Sequence, residues 1–159
     1  MPQIELLTIT TPGSRVAPRA TWVHGRDRAC AATPAAVAAA LSVCEPDADA
    51  VLVFDASLPL PPAELLGDLL RGPADAWHAG LCLGLAGQPP ALDHVQPLWM
   101  LNAPLAPARE ATSWRLSLRA LLVRRAVLDQ LGAPDPGFDT LAGSALDAGM
   151  LWIRNGALV

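Results

Sequence analysis

Short apolar runs alternate along this chain with segments that carry turn and helix-start residues, and that punctuation leaves few folds open to it. IELLTIT (4–10) is rich in β-forming residues and stops at TPGS, a turn signal, so it reads as a first buried strand. ATWVHG (20–25) reads as a short second strand and AVLVF (50–54) as another. AGLCLGLAG (79–87), an apolar run between glycines, reads as a further buried strand. SWRLSLRALLV (113–123) alternates through Trp114, Leu116 and Leu118 and then runs apolar, the pattern of a strand entering a core. ALV (157–159) begins one more.

Between these runs stand four helix signatures. TPAAVAAALSVC places Thr33 as N-cap and Pro34 at the first helical position. PPAELLGDLLRG has Pro62 near its start, Glu64 in the first turn where the helix dipole favours an acid, a Leu65, Leu66, Leu69, Leu70 stripe, and Gly72 to close it. RRAVLDQLG is a short helix ended by Gly132. SALDAGMLWIRNG is the last, with Leu146, Met150, Leu151 and Ile153 expected inward and Asn155-Gly156 as the C-cap. The stretch 88–112, rich in Pro and Ala, is a long excursion with PLWML (97–101) as its only strand-like part, and excursions of that length often cover a site.

Strands alternating with helices predict an α/β fold whose central sheet is mostly parallel. Ligands of such sheets sit beyond the carboxyl ends of the strands, where strand order reverses. Asp55 follows 50–54 directly, so it falls where such a site is expected.

At 159 residues the chain suits a single domain over 1–159, long enough to bury about two-thirds of its unfolded surface. A net charge of −4 argues against a nucleic-acid partner, which needs a basic face to displace counterions. Arg115, Arg119, Arg124 and Arg125 do gather, and read as a solvated edge beside a helix start. Cys30, Cys44 and Cys82 form no C-x-x-C pair, which suits a reducing compartment and three small buried residues. No secretory leader is visible, and the Ala-rich stretch 29–43 is too weakly apolar and too broken to span a bilayer. The expectation is a cytoplasmic protein with no transmembrane segment. His24, His78 and His94 are isolated, Trp77, Trp99, Trp114 and Trp152 read as core or pocket wall, and no serine-hydrolase, P-loop or dinucleotide motif is present.

Three blocks resemble the family-2 glycosyltransferases of the GT-A fold: ADAVLVFDASLPLPPAELLGDLL, LRALLVRRAVLDQLGAPDPGFD and LAGSALDAGMLWIRNGA. The first is similar to that family's strand ending in an acidic D-x-D element, the second to its strand, arginine pair, helix and G-G-F-D turn, and the third to the segment carrying G-E-D-x-D and a helix ending R-x-G. The resemblance implies a GT-A or Rossmann-like three-layer sandwich. It implies transfer of a sugar from a nucleotide-diphosphate donor, with Mg²⁺ or Mn²⁺ held by carboxylates to offset the charge of the leaving diphosphate.

Each block departs from the family where chemistry would happen. The D-x-D element stands here as Asp55-Ala56-Ser57, one carboxylate and one hydroxyl. On the family reading Asp55 holds the metal, and Asp55 with Ser57 holds the nucleotide sugar; on the local reading both satisfy backbone donors in the turn before Pro59. The general base that an inverting transferase needs would fall at Ser144 and Ala145, neither a carboxylate, which leaves Asp147 as the catalytic candidate. Ser144 to Asp147 also fits a capping box. Asp139, in GFD, reads as a turn former. The nucleobase-binding and acceptor-binding ends of the family are missing, as in a fragment or a shortened relative.

Two functions follow from the resemblance: a glycosyltransferase domain working through Asp55, Ser57 and Asp147, or a non-catalytic relative serving as a binding or assembly module. The second carries an expected homodimer through an exposed sheet edge at 157–159.

Overall fold

The computed structural model describes residues 2–13, 23, 25, 28–79, 82–83, 91–96, 101–105 and 115–159, with 82–83, 91–96 and 101–105 described through their backbone alone. The elements run β1 (Ile4–Thr10), β2 (Arg28–Ala31), α1 (Pro34–Ser42), β3 (Ala50–Asp55), α2 (Ala63–Arg71), β4 (Ala76–His78), β5 (Cys82–Leu83), β6 (Ala91–Gln96), β7 (Leu101–Leu105), β8 (Ala120–Arg124), α3 (Arg125–Leu131) and α4 (Leu141–Arg154). This is an α/β fold built on an open five-stranded sheet in the order β2-β1-β3-β8-β4; β5, β6 and β7 form a separate three-stranded sheet.

The expected mostly parallel sheet is corrected to a mixed one. β1 pairs in parallel with both β2 and β3, whereas β8 lies antiparallel to β3 and to β4. Both ladders of the smaller sheet are antiparallel. Parallel pairing of successive strands needs a crossover connection, usually a helix, and no helix lies among the described residues between β4 and β8. The chain returns beside β3 in the opposite direction.

Period-two alternation sorts the central strands into two cores. Leu7, Ile9, Val51, Val53, Leu121 and Val123 pack with Val37, Val127, Ala148 and Trp152, from α1, α3 and α4, on one face. Ile4, Leu6, Leu52, Phe54 and Leu122 pack with Leu66 of α2 on the other. Strands covered on both faces need near-continuous apolar runs, which AVLVF supplies outright and IELLTIT supplies apart from the buried Glu5 and Thr8.

Local chemistry starts and stops the helices. Thr33 caps α1 through a bond from Ala36 N to its Oγ1 at 3.3 Å, with Pro34 next. α3 ends at Gly132, whose φ of +84° is open to glycine at little cost. In α2, Leu66 is buried while Leu65 is exposed, so the leucine stripe is narrower than expected.

Several other expectations shift. The second strand lies at 28–31; of 20–25 only Val23, in an isolated bridge to Ile4, and Gly25 are described. Of the run 79–87, Ala79 follows β4, which ends at His78, and Cys82–Leu83 form β5 of the smaller sheet; the rest of the run lies outside the described residues. The 88–112 excursion contains β6 and β7, paired antiparallel. β8 begins only at Ala120; Leu116 and Leu118 reach the core from irregular chain, and Ser117 between them is also buried. Residues 157–159 form no strand: the carbonyl of Leu158 accepts from Asp75 N at 2.9 Å, its N–H donates to Asp75 Oδ2 at 2.9 Å, and Val159 is buried. The segment expected to present a free edge is thus bonded along one side to the start of β4. No described helix is long and apolar enough to cross a membrane.

The arginine pair does not line a solvated edge. Arg124 donates to the carbonyls of Leu70, Gly72 and Ala74 at 2.8–2.9 Å, closing the carboxyl end of α2, and its guanidinium lies 5.2 Å over the Trp77 ring. Arg125 reaches the carbonyls of Cys44 and Glu45, beyond the end of α1, and pairs with Asp129. Arg28 takes the carbonyls of Ala40 and Val43. Each cation meets the negative end of a helix that its own segment did not build.

Candidate functional site

β1 lies between β2 and β3, so the chain leaves its carboxyl end toward one side of the sheet and later returns on the other. A crevice opens at such a point in a doubly wound sheet. Here it is a cleft of about 570 Å³, floored by Ile9, Thr11, Ala32 and Asp55 at the ends of the three parallel strands. Residues 115–119 form one wall, and Leu141, Ala142, Ala145 and Leu146 of α4 form the other. The described lining is mainly apolar, with Thr11, Asp55, Arg115, Ser117 and Arg119 as its polar groups.

Asp55 is held on three sides. Its N–H donates to Arg119 O at 2.8 Å, and the next N–H, of Ala56, donates to Ile9 O at 2.9 Å. Oδ1 accepts from both Ser57 N at 2.9 Å and Ser57 Oγ at 2.7 Å, an Asx turn. Oδ2 accepts from Arg119 Nε at 3.0 Å. The Ser57 hydroxyl and N–H, with Arg119 behind them, hold the carboxyl below its ordinary range against the opposing pull of burial.

The sequence thus brings Asp55 and Ser57 together as expected, in the local turn arrangement. Divalent cations of this class are held by several oxygen ligands with free lone pairs. Asp55 is the sole carboxylate of the described lining, the Ser57 hydroxyl points its proton at it, and a guanidinium occupies its other oxygen. No group of three or more His, Cys, Asp or Glu side chains comes together among the described residues. The described residues do not by themselves make up a Mg²⁺ or Mn²⁺ site.

Asp147 stands exposed on α4, outside the described lining, while Ala145 and Leu146 face the cleft. The capping box expected at Ser144 is corrected: α4 starts one turn earlier, capped by Thr140, whose Oγ1 accepts from Gly143 N at 3.1 Å. Ser144 is fully buried and donates to Asp135 O at 2.7 Å. Asp135, rather than Asp139, forms the turn before the helix, accepting from Gly137 N at 2.7 Å. His78 Nδ1 bonds locally to Ala79 O; His24, Trp99 and Trp114 lie outside the described residues, as does the side chain of His94.

Arg119 is the site residue that reading the sequence missed. Its alternation with Leu116 and Leu118 marks it as one of several outward residues. Only the pairing of Phe54 with Ala120 sets it across from Asp55, 64 positions away.

No family model, curated protein or solved structure matches the chain.

Proposed function

We propose that the chain is a GT-A-like relative of the family-2 glycosyltransferases that binds a nucleotide-diphosphate sugar in its cleft without a divalent cation, and that it serves as a binding module rather than a transferase. The observation that carries this is the Asp55–Arg119 pair at the mouth of a cleft lying beyond three parallel strands. A guanidinium presents a fork that matches phosphate oxygens. Arg119, with a side chain 66% exposed, has the freedom to turn from Asp55 to a diphosphate, and Arg115 lines the same cleft. Asp55, released, accepts from a ligand hydroxyl. The apolar walls take the flat faces of base and sugar.

The described groups support binding rather than transfer. General-base catalysis needs a group of suitable pKa within reach of the acceptor hydroxyl. Asp55 is a weak base, held ionised by Ser57 and Arg119, and Asp147 lies outside the described lining. Cys30 and Cys44 are both free thiols, which suits the cytoplasmic location proposed with this reading.

The test is calorimetric titration with UDP and GDP, each with and without Mn²⁺, on the parent, Asp55→Ala and Arg119→Ala proteins. Binding that is indifferent to Mn²⁺ and weakened by about tenfold or more in Arg119→Ala is expected, one charge-assisted contact being worth that much. Binding that requires Mn²⁺, or no heat from either nucleotide, overturns the reading.

A further inference from the structure

The outer face of α4 departs from the usual pattern of a surface helix, which is apolar inward and polar outward. Its inner face is complete: Ser144, Ala145, Ala148, Gly149 and Trp152 are buried. Met150 and Leu151 nevertheless stand outward, 41% and 43% exposed, while Leu146, 37% exposed, lies at the border between this face and the cleft wall. The Phe138 ring, itself exposed, extends this patch over the first turn of the helix, close enough that a Cβ on Gly143 would meet it at 3.0 Å. Most of the exposed large hydrophobic side chains of the described residues therefore gather on one helix and the turn that precedes it.

Two charges share that face. Asp147 and Arg154 are exposed, seven residues apart, and neither has an ionic or hydrogen-bonding partner among the described residues. Seven residues is close to two helical turns, which leaves the two side chains aligned but about 10 Å apart along the axis, too far to pair with each other. The midpoint between Met150 and Leu151 lies equally far along the helix from both. A two-fold axis through that midpoint sets a second α4 antiparallel to the first, with each Asp147 facing the partner's Arg154 and Met150 and Leu151 at the centre.

We propose that this chain forms a two-fold symmetric homodimer through the outer face of α4, with the helices antiparallel and two Asp147–Arg154 pairs flanking an apolar centre. The occupant is a second copy because the face is complementary to itself: an acid and a base at positions that the two-fold exchanges are what an isologous interface requires. This inference is independent of what the cleft binds, and it moves the expected dimer contact from the sheet edge to a helix.

A single helix pair lies at the small end of specific interfaces, so sedimentation equilibrium up to about 500 µM protein is the measurement. The parent is expected to show a concentration-dependent monomer–dimer equilibrium. Asp147→Arg alone and Arg154→Asp alone set like charges opposite each other and are expected to weaken the dimer by roughly tenfold or more. The double variant Asp147→Arg/Arg154→Asp restores opposite charges and is expected to return to within about threefold of the parent, which separates pairing from any loss of folding. A parent that stays monomeric overturns the proposal, and so does a dimer indifferent to the single reversals or not restored in the double variant.

Discussion

Arg119 Nε lies 3.0 Å from Oδ2 of Asp55, at the mouth of the cleft and across the antiparallel seam between β3 and β8. The contact places a cation where the resemblance to glycosyltransferases called for a metal ion, and it makes the acid at the end of β3 part of a closed polar unit. Its energetic worth is small, since Arg119 is largely exposed and solvent screens the pair.

Asp55 gives the cleft a defined pH response. Its carboxyl is held below the ordinary 3.8, chiefly by Ser57, so its contribution to stability is complete above that value and is lost as pH falls through the folded-state value. Asp55→Asn is expected to be less stable than the parent by about 1 kcal/mol at pH 7, with the gap shrinking below about pH 4. Urea unfolding at pH 7, 5 and 3 measures it. A gap that widens toward acid would contradict the assignment.

Arg124 and Arg119 are expected to differ sharply although both are arginines beside β8. Arg124→Ala strips three carbonyls at the end of α2 of their donor and should cost about 3 kcal/mol. Arg119→Ala should cost under about 1 kcal/mol. Thermal and urea unfolding of the two variants side by side tests the ranking.

Glu5 is 1% exposed, and its Oε2 accepts from Glu45 N at 2.8 Å. Its Oε1 sits 2.7 Å from Arg28 Nη2 as an ion pair, without hydrogen-bond alignment, because Arg28 donates to Ala40 and Val43. Removing one partner of a buried pair strands the other charge, so Arg28→Ala is expected to destabilise by about 3–5 kcal/mol. Glu5→Gln, which keeps an acceptor for Glu45, should cost less. Equal effects in denaturant titrations would argue against the buried charge as the cause.

Cys44 should be an unreactive thiol. Burial, with the Glu5 carboxylate adding to it, pushes the thiol up to about 11 against the pull of Arg28 and Arg125. At pH 8 the thiolate fraction is on the order of one in a thousand. In a Cys30→Ser/Cys82→Ser background, a disulfide reagent is expected to label the native protein at least a hundredfold more slowly than the unfolded chain. Equal rates would show that the site is open.

Thr140→Ala removes the bond to Gly143 N that starts α4 and should cost about 1 kcal/mol by urea unfolding. A neutral result would return the helix start to the Ser144 segment.

What the sequence determined by itself is whatever is settled within a few residues. Thr33 and Pro34 start α1, Gly132 stops α3, Asp55 bonds Ser57 two positions on, and near-continuous apolar runs mark β1 and β3 as strands buried on both sides. These are contacts of short reach, and the residue types that make them are few. The direction of β8, the placing of Arg119 opposite Asp55, and the choice of Arg28, Arg124 and Arg125 as clamps on helix ends were decided by the tertiary structure. So was the outward turn of Met150 and Leu151, since α4 is apolar on both faces and periodicity alone cannot say which face meets the sheet. The physical reason is that a strand's register, once set, fixes partners dozens of positions apart, and one arginine in a row of outward residues reads like the next until the sheet closes around it.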